Sequence, residues 1–308
     1  DSISFVKAKE TQQLKHQTKM EAQEVEQAKK RTYLIIASCF LLLLAVTGYI
    51  AFRQKKKVNG IIRNQKELVE EKNKDIIDSM NYAKRIQSAI LPPKSLIKQH
   101  LPDSFILYLP KDIVAGDFYW LEKHGEAILF AVADCTGHGI PGAMVSVIGN
   151  NALNRSVREH KLRDPGEILD KAREILIKEF EKSEDEVKDG MDISLCALTK
   201  NKLSFAGANN PLWIVRKGEL LETRGDSQPI GKFDKEKPFN THHFDLIKGD
   251  TIYIFSDGFA DQFGGEKEKK FMKLNFKKLL LSIEDKSLIE QKDIINKAFE
   301  SWKGNLEQ

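Results

Sequence analysis

Residues 32–52, TYLIIASCFLLLLAVTGYIAF, carry no charged side chain. About 20 residues at about 1.5 Å of helical rise give roughly the 30 Å of a bilayer's hydrocarbon core. A helix buried in a soluble domain is seldom this long and apolar on every face. A signal peptide would not follow a polar, helix-favouring stretch of this kind. The run is therefore read as a single membrane span, with Tyr33 and Tyr49 where interfacial aromatics sit. Arg53, Lys55, Lys56 and Lys57 follow it directly, with Arg63 and Lys66 beyond, against Lys29, Lys30 and Arg31 before it. That bias places the C-terminal side in the cytoplasm.

The flanks are helical by composition. Residues 1–31 end in KAKETQQLKHQTKMEAQEVEQAKKR, which lacks Gly and Pro and has almost no apolar face. They read as a solvated stalk, the end of an upstream input domain. After the span, residues 53–92 form a linker whose helix, from 58 to 91, is stopped by Pro92-Pro93. Ile62, Val69, Ile76, Ala83 and Ile90 recur every seven residues, but Gln65, Lys72, Ser79 and Gln87 occupy the complementary positions. Two-stranded coiled coils want apolar residues there. The helix can pair with a second copy as a homodimer near the membrane, dock on its own domain further on, or do both.

Residues 93–308 have a different texture. Candidate strands are 105–109, 113–121, 127–134, 193–199, 203–207, 212–216, 219–222, 241–246 and 251–256. Lys200-Asn201-Lys202 and Lys217-Gly218 mark antiparallel hairpins; Asn209-Asn210-Pro211 reads as another hairpin turn. Candidate helices are 142–160, 165–181, 269–283 and 287–303. Grouped strands with helices between them predict an α+β domain of two packed antiparallel sheets flanked by helices.

The chemistry concentrates in three aspartates. Asp117 lies in Val114-Ala115-Gly116-Asp117-Phe118-Tyr119-Trp120, Asp134 ends AILFAVAD and Asp257 ends TIYIFSDG. Each sits in or at the end of an apolar strand, with a glycine adjoining Asp117 and Asp257 and following three residues after Asp134. A buried carboxylate is costly unless its charge is compensated, by turn N–H groups, a basic partner or a cation. Oxygen-only donors suit Mg²⁺ or Mn²⁺. The chain has no GxxxxGK[ST] loop, no GxSxG elbow and no histidine between Arg53 and Gln99 to accept a phosphoryl group from ATP. Cys135 lacks the arginine a cysteine phosphatase needs six residues on, where Pro141 stands. A net charge of only +4, from 49 basic and 45 acidic residues, gives no nucleic-acid footprint. Three scattered cysteines exclude a disulfide framework or zinc knuckle.

Residues 79–303 resemble the metal-dependent protein phosphatase 2C-like family in its bacterial SpoIIE/RsbU branch. The resemblance rests on Ile86-Gln87-Ser88-Ala89-Ile90-Leu91-Pro92, Ala115-Gly116-Asp117-Phe118-Tyr119-Trp120, Ala133-Asp134-Cys135-Thr136-Gly137-His138-Gly139-Ile140-Pro141-Gly142, Ala206-Gly207-Ala208-Asn209-Asn210-Pro211, Gln228-Pro229-Ile230-Gly231 and Phe255-Ser256-Asp257-Gly258. It implies an α-β-β-α sandwich and a serine/threonine phosphatase tethered to the bacterial inner membrane, acting on a phosphorylated regulatory protein such as a STAS-type anti-anti-sigma factor. Asp117, Asp134 and the backbone carbonyl of Cys135 resemble ligands of a dinuclear Mn²⁺ or Mg²⁺ site, and Asp257 the carboxylate that joins them from the opposite strand. The resemblance leaves His138 as a candidate proton donor to the leaving serine and Asp192 and Asp261 as weaker candidates. It also implies a further Asp-Asp pair before a last strand, expected beyond Gln308; if that pair is truly absent, the alternative is an inactive fold that binds a phosphorylated partner. A final expectation is that the 58–91 helix, docked near 86–91, regulates the metal site.

Overall fold

A continuous apolar run in residues 127–133, and Met191, Ile193, Leu195 and Ala197 at alternate positions, build the middle of the main sheet. A computed structural model describes residues 2–182 and 189–308. It divides into two compact units, Asp1–Asp75 and Ile76–Gln308, so the boundary falls inside the 53–92 segment. The described residues of the first unit are helical, within α1 (Ser2–Ile90), and their side chains from Lys7 onward are exposed. One helix among the described residues is long and apolar enough to cross a membrane, and none of its apolar window is buried.

The second unit begins with the last turns of α1 and a short α2 (Lys94–His100). Its main sheet has five antiparallel strands in the order β1-β2-β3-β4-β7: β1 (Phe118–His124), β2 (Ala127–Cys135), β3 (Met191–Thr199), β4 (Lys202–Ala208) and β7 (His242–Asp245). A second sheet runs β6-β5-β8, from β5 (Leu212–Arg216), β6 (Glu219–Thr223) and β8 (Thr251–Tyr253). Helices α3 (Gly139–Arg158) and α4 (Pro165–Phe180) cover the outer face of the first sheet, burying Val145, Leu153, Ile168 and Leu169 against Leu129, Ile193 and Leu195. Helices α6 (Lys273–Ser282) and α7 (Leu288–Lys303) cover the second, where Phe276, Leu280 and Ile295 pack on Trp213 and Tyr253. Between the sheets lie Cys196, Leu203, Phe205, Leu212 and Ile214, with Phe130 and Ile252 against them. The layering is the expected α-β-β-α arrangement.

Local sequence explains the helix starts. Asp164 accepts from the Gly166 and Glu167 amides ahead of Pro165 in α4, and Ser287 with Glu290 makes a capping box for α7. Pro141 falls in the first turn of α3, where its missing N–H costs nothing.

Four expectations need correction. Residues 105–109 are not a strand, because none of the described strands pairs with them. Within 113–121 the ladder with β2 starts only at Phe118; residues 113–117 before it are bends and irregular backbone. The helix expected from Lys269 starts at Lys273, because Lys269–Lys270 pairs as β10 with β9 (Phe263–Gly264), after the short α5 (Gly258–Asp261). Asn209-Asn210-Pro211 is also not a hairpin turn. It carries the chain from β4 in one sheet to β5 in the other, with Asn209 in the left-handed region at φ 57°.

Candidate metal centre

Side-chain parity decides where the aspartates point. Leu129, Ala131, Ala133 and Cys135 of β2 face the helices, so Phe130 and Asp134 face the second sheet. In β3, Ile193 and Leu195 face the helices and Cys196 the second sheet; Asp192 shares the parity of Cys196. Phe118 and Trp120 do the same in β1, which leaves Asp117, one step before the strand, on the inter-sheet side. The register pairs Asp134 with Asp192 and Phe118 with Ala133. Three carboxylates thus stand at one level on neighbouring strands.

The second sheet supplies the rest. The chain leaves β8 through Ile254-Phe255-Ser256 and places Asp257 at the N-cap of α5, where its side chain makes no capping bond. Ser256 Oγ donates to Asp117 Oδ2 at 2.5 Å, tying the two sheets together at the site. Tyr108 holds the same residue from behind: its hydroxyl donates to the Asp117 carbonyl at 3.0 Å and its ring meets Tyr119 edge-on. Burial first, and the Asp117 charge second, push that hydroxyl up to about 12.

Two glycines let the turns that carry Asp117 and Asp134 touch. A Cβ on Gly116 would lie 2.7 Å from the Gly137 carbonyl oxygen and 3.0 Å from that of Cys135; one on Gly142 would lie 2.4 Å from the Gly137 oxygen. The Cys135 carbonyl is thereby held against the backbone just before Asp117. The Cys135 thiol, buried on the helix side, is pushed well up by that burial and is inert.

The Asp117, Asp134 and Asp257 carboxyls lie close enough to act on one another's ionisation. Burial, then the Asp117 and Asp257 charges, push Asp134 up to about 8. Asp117 is also raised, by burial foremost, although the Ser256 hydroxyl pulls the other way. Asp192 is raised by burial, against the Asn209 Nδ2–H that donates to its Oδ1 at 2.7 Å. Among the described residues no lysine or arginine forms an ion pair with Asp117, Asp134 or Asp257. Crowded carboxylates without a basic partner are the donor set a hard cation relieves. Among the described residues no group of three or more His, Cys, Asp or Glu side chains is arranged to hold a metal ion as it stands. In kind, carboxylate and carbonyl oxygens are the donors that Mg²⁺ or Mn²⁺ takes, with water filling other positions, so the chemistry of the residues present fits the ions.

Of the sequence candidates, Asp117, Asp134, Asp257 and the Cys135 carbonyl come together, and Asp192 adjoins them. Asp261 does not join the cluster; it accepts from Lys270 Nζ at 2.7 Å. Three residues of the site escaped the sequence reading of roles. Ser256 was signalled only by adjacency to Asp257. Gln87, polar at a heptad position, is buried: its side chain donates to the Ala115 carbonyl at 2.5 Å and to Ser146 Oγ at 2.9 Å, and accepts from the Ala115 amide at 3.1 Å. Asp112, which contacts His138, had no sequence signal.

The chain is similar to known proteins over much of its length. The family model of Stage II sporulation protein E (SpoIIE) matches residues 124–307. Phosphoserine phosphatase RsbU of Bacillus subtilis is 25% identical over 237 residues, 74% of this chain and 64% of its own length, so the chain spans under two thirds of that relative. Among solved structures, the SiaA-PP2C domain of Pseudomonas aeruginosa is 31% identical with a TM-score of 0.70, covering 77% of this chain and 94% of that one. The PP2C phosphatase domain of SpoIIE from Bacillus subtilis, with a fragment of its regulatory domain, is 19% identical with a TM-score of 0.50, covering 63% of this chain and 55% of that one; it speaks for the fold alone.

Proposed function

Since the chain belongs to the Stage II sporulation protein E family and has its protein phosphatase 2C-like fold, we propose that it is a metal-dependent protein serine/threonine phosphatase. Its substrate in this reading is a phosphoserine or phosphothreonine on a small regulatory protein of the STAS type. The observation that carries the proposal is the crowding of Asp117, Asp134 and Asp257, two from one sheet and one from the other, with Asp134 pushed up to about 8. A structural carboxylate is normally paired; three that repel one another are kept for something they bind.

Asp117, Asp134, Asp257 and the Cys135 carbonyl would hold two Mn²⁺ or Mg²⁺ ions, and the chemistry those supply when bound is activation of water and neutralisation of phosphoryl charge. The protein's own part is positional. Ser256 and Tyr108 fix the Asp117 side chain and backbone, and the Gly116–Gly137–Gly142 contact fixes the spacing of the two turns. Gln87 grips Ala115, two residues before Asp117, so the end of α1 reports directly on the position of one ligand. That contact supports the reading of residues 53–92 as a signalling linker, and the apolar run 32–52 supports a single-pass inner-membrane anchor with the phosphatase unit in the cytoplasm.

The test is phosphate release from a phosphoserine peptide by the full chain, titrated with Mn²⁺. The reading expects Mn²⁺-dependent turnover that Asp134→Ala lowers by at least about 10²-fold. Peptide binding without turnover at any Mn²⁺ or Mg²⁺ concentration would convert the protein into a phosphopeptide-binding scaffold.

A further inference from the structure

Residues 224–241 carry the chain from β6 in the second sheet to β7 at the edge of the first, and they include Gln228-Pro229-Ile230-Gly231. On the way they pass over the ends of β4 and β3, at the level where Asp192 pairs with Asp134. The Asp226 amide donates to the Gly207 carbonyl and its carbonyl accepts from the Asn209 amide, both at 2.8 Å. Ile230 donates to the Met191 carbonyl at 2.9 Å and accepts from the Met191 amide at 3.0 Å. The approach is close: a Cβ on Gly225 would lie 2.8 Å from the Gly207 carbonyl carbon, and one on Gly190 would lie 2.6 Å from the Ile230 oxygen.

Both attachments lead to the carboxylate cluster in one step. Asn209, held by Asp226, donates through Nδ2 to Asp192 Oδ1 at 2.7 Å. Gly190, beside Met191, is clasped to Thr136, the residue after Cys135. The Thr136 amide donates to the Gly190 carbonyl at 3.0 Å, and the Gly190 amide to Thr136 Oγ1 at 3.1 Å. Thr136 Oγ1 in turn donates to Asp189 Oδ1 at 2.8 Å. The other side of the same turn is met by Asp112, whose Oδ2 lies 2.9 Å from His138 Nδ1.

Two isolated bridges do not fix a strap, so its anchor lies elsewhere. Gln228 is 4% exposed and Arg173 of α4 is 8% exposed. Gln228 Oε1 accepts from the Arg173 guanidinium at 3.1 Å and from the Lys237 amide at 3.0 Å, while Nε2 donates to the Lys237 carbonyl at 2.8 Å. Arg173 also donates to that carbonyl at 3.0 Å, pairs with Asp170 at 2.9 Å and lies 4.8 Å from the centre of the Phe239 ring. Apolar side chains would pack a helix on a loop without desolvating a charge. What a guanidinium fork adds is direction, because it fits one arrangement of its acceptors.

We propose that residues 225–231 form a strap that positions the Cys135 carbonyl and Asp192 for metal binding, with Gln228 and Arg173 as its positioning residues; this rests on the metal-dependent phosphatase reading above. The strap acts on the β3 side of the centre, whereas Ser256, Tyr108 and Gln87 act on Asp117.

The experiment is equilibrium Mn²⁺ binding to the full chain, read from the electron paramagnetic resonance signal of the free ion, so that no substrate is needed. Gln228→Leu keeps the bulk of the side chain and removes its three hydrogen bonds. It is expected to raise the Mn²⁺ dissociation constant about 10-fold, the lower end of what groups behind metal ligands contribute. Arg173→Lys keeps the charge beside Asp170 but not the fork; it should raise the constant about 3-fold and carries the test if the leucine variant does not fold. Thr136→Val breaks the clasp itself. Combined with Gln228→Leu it should add less than about 2-fold to the larger single loss, because both act through one contact. Val157→Ala, which opens a cavity near the far end of α3, is the control for lost stability and should bind Mn²⁺ as the wild type does. Wild-type affinity in folded Gln228→Leu would overturn the proposal, as would losses that multiply in the double variant or an equal loss in the control. Phosphate release from a phosphoserine peptide is followed alongside. A wild type that binds Mn²⁺ without turnover overturns the phosphatase reading alone, and the Gln228→Leu affinity still decides this one; a wild type that binds no Mn²⁺ overturns both.

Discussion

Asp134→Asn should separate what the metal centre costs from what it does. An unfolded aspartate ionises near 3.9, but burial and the Asp117 and Asp257 charges push Asp134 up to about 8 in the folded protein. Between those values the folded, metal-free protein keeps a proton that the unfolded chain has released. Its stability therefore falls as pH rises through that window and levels off above it. At about 1.4 kcal/mol per pH unit, the span from about 4 to 7 amounts to a penalty of up to about 4 kcal/mol at neutral pH, carried jointly by the three carboxylates. Asparagine keeps the shape and removes the charge. In urea unfolding with a chelator present, Asp134→Asn should exceed the wild type by about 2–4 kcal/mol at pH 8, and by only about 1 kcal/mol at pH 5. Added Mn²⁺ should reverse the order, because an ion that binds only the folded wild-type site stabilises it by mass action. A variant no more stable than wild type at pH 8 without metal would refute the reasoning, as would a difference unchanged between the two pH values.

Two further perturbations test how the site is held. Gly142→Ala places a methyl group 2.4 Å from the Gly137 carbonyl oxygen; it should cost about 1–3 kcal/mol and raise the Mn²⁺ concentration needed for half-maximal activity, read by urea unfolding and a metal titration. Gln87→Leu strips the buried Ala115 amide and carbonyl of their partner; it should cost about 1–3 kcal/mol and shift the metal titration in the same direction, whereas a variant with wild-type metal dependence would uncouple the end of α1 from the site.

The fold was legible where one rule governed each element. A short unbroken apolar run marked β2, the helix expected from Pro165 starts there as α4, and Lys217-Gly218, with φ values of 49° and 83°, made the hairpin expected of it. Misreadings arose where a partner outside the local sequence decides. Whether 105–109 forms a strand depends on whether another strand lies beside it. The Asn209-Asn210-Pro211 turn looks the same on paper whether the next strand folds back or switches sheets. The three aspartates of the proposed metal centre were visible as buried acids at strand ends, a pattern a core avoids unless the charge is used. Their positioning groups were not: Ser256 and Asp112 are ordinary residues until the distance from each to Asp117 or His138 is known.

Asp117 is where those tertiary contacts converge, which bears on how such a site can be controlled. Its carboxylate takes a hydrogen bond from Ser256 in the second sheet, its carbonyl one from Tyr108, and the segment before it is gripped through Ala115 by Gln87 at the end of α1. Asp134 is different. It is fixed within the sheet by a strand ladder that pairs it with Asp192 on one side and runs alongside β1 on the other. A ladder of many backbone bonds does not move by ångströms without breaking, whereas a residue one step outside its strand, held with its neighbour Ala115 by four hydrogen bonds of about 1 kcal/mol net each, can. A shift of α1 that pulled on Ala115 would thus displace the Asp117 carboxylate while leaving Asp134 in place. The site would lose one ligand while the fold stayed intact, so regulation through the linker needs no unfolding and no rearrangement of the sheets.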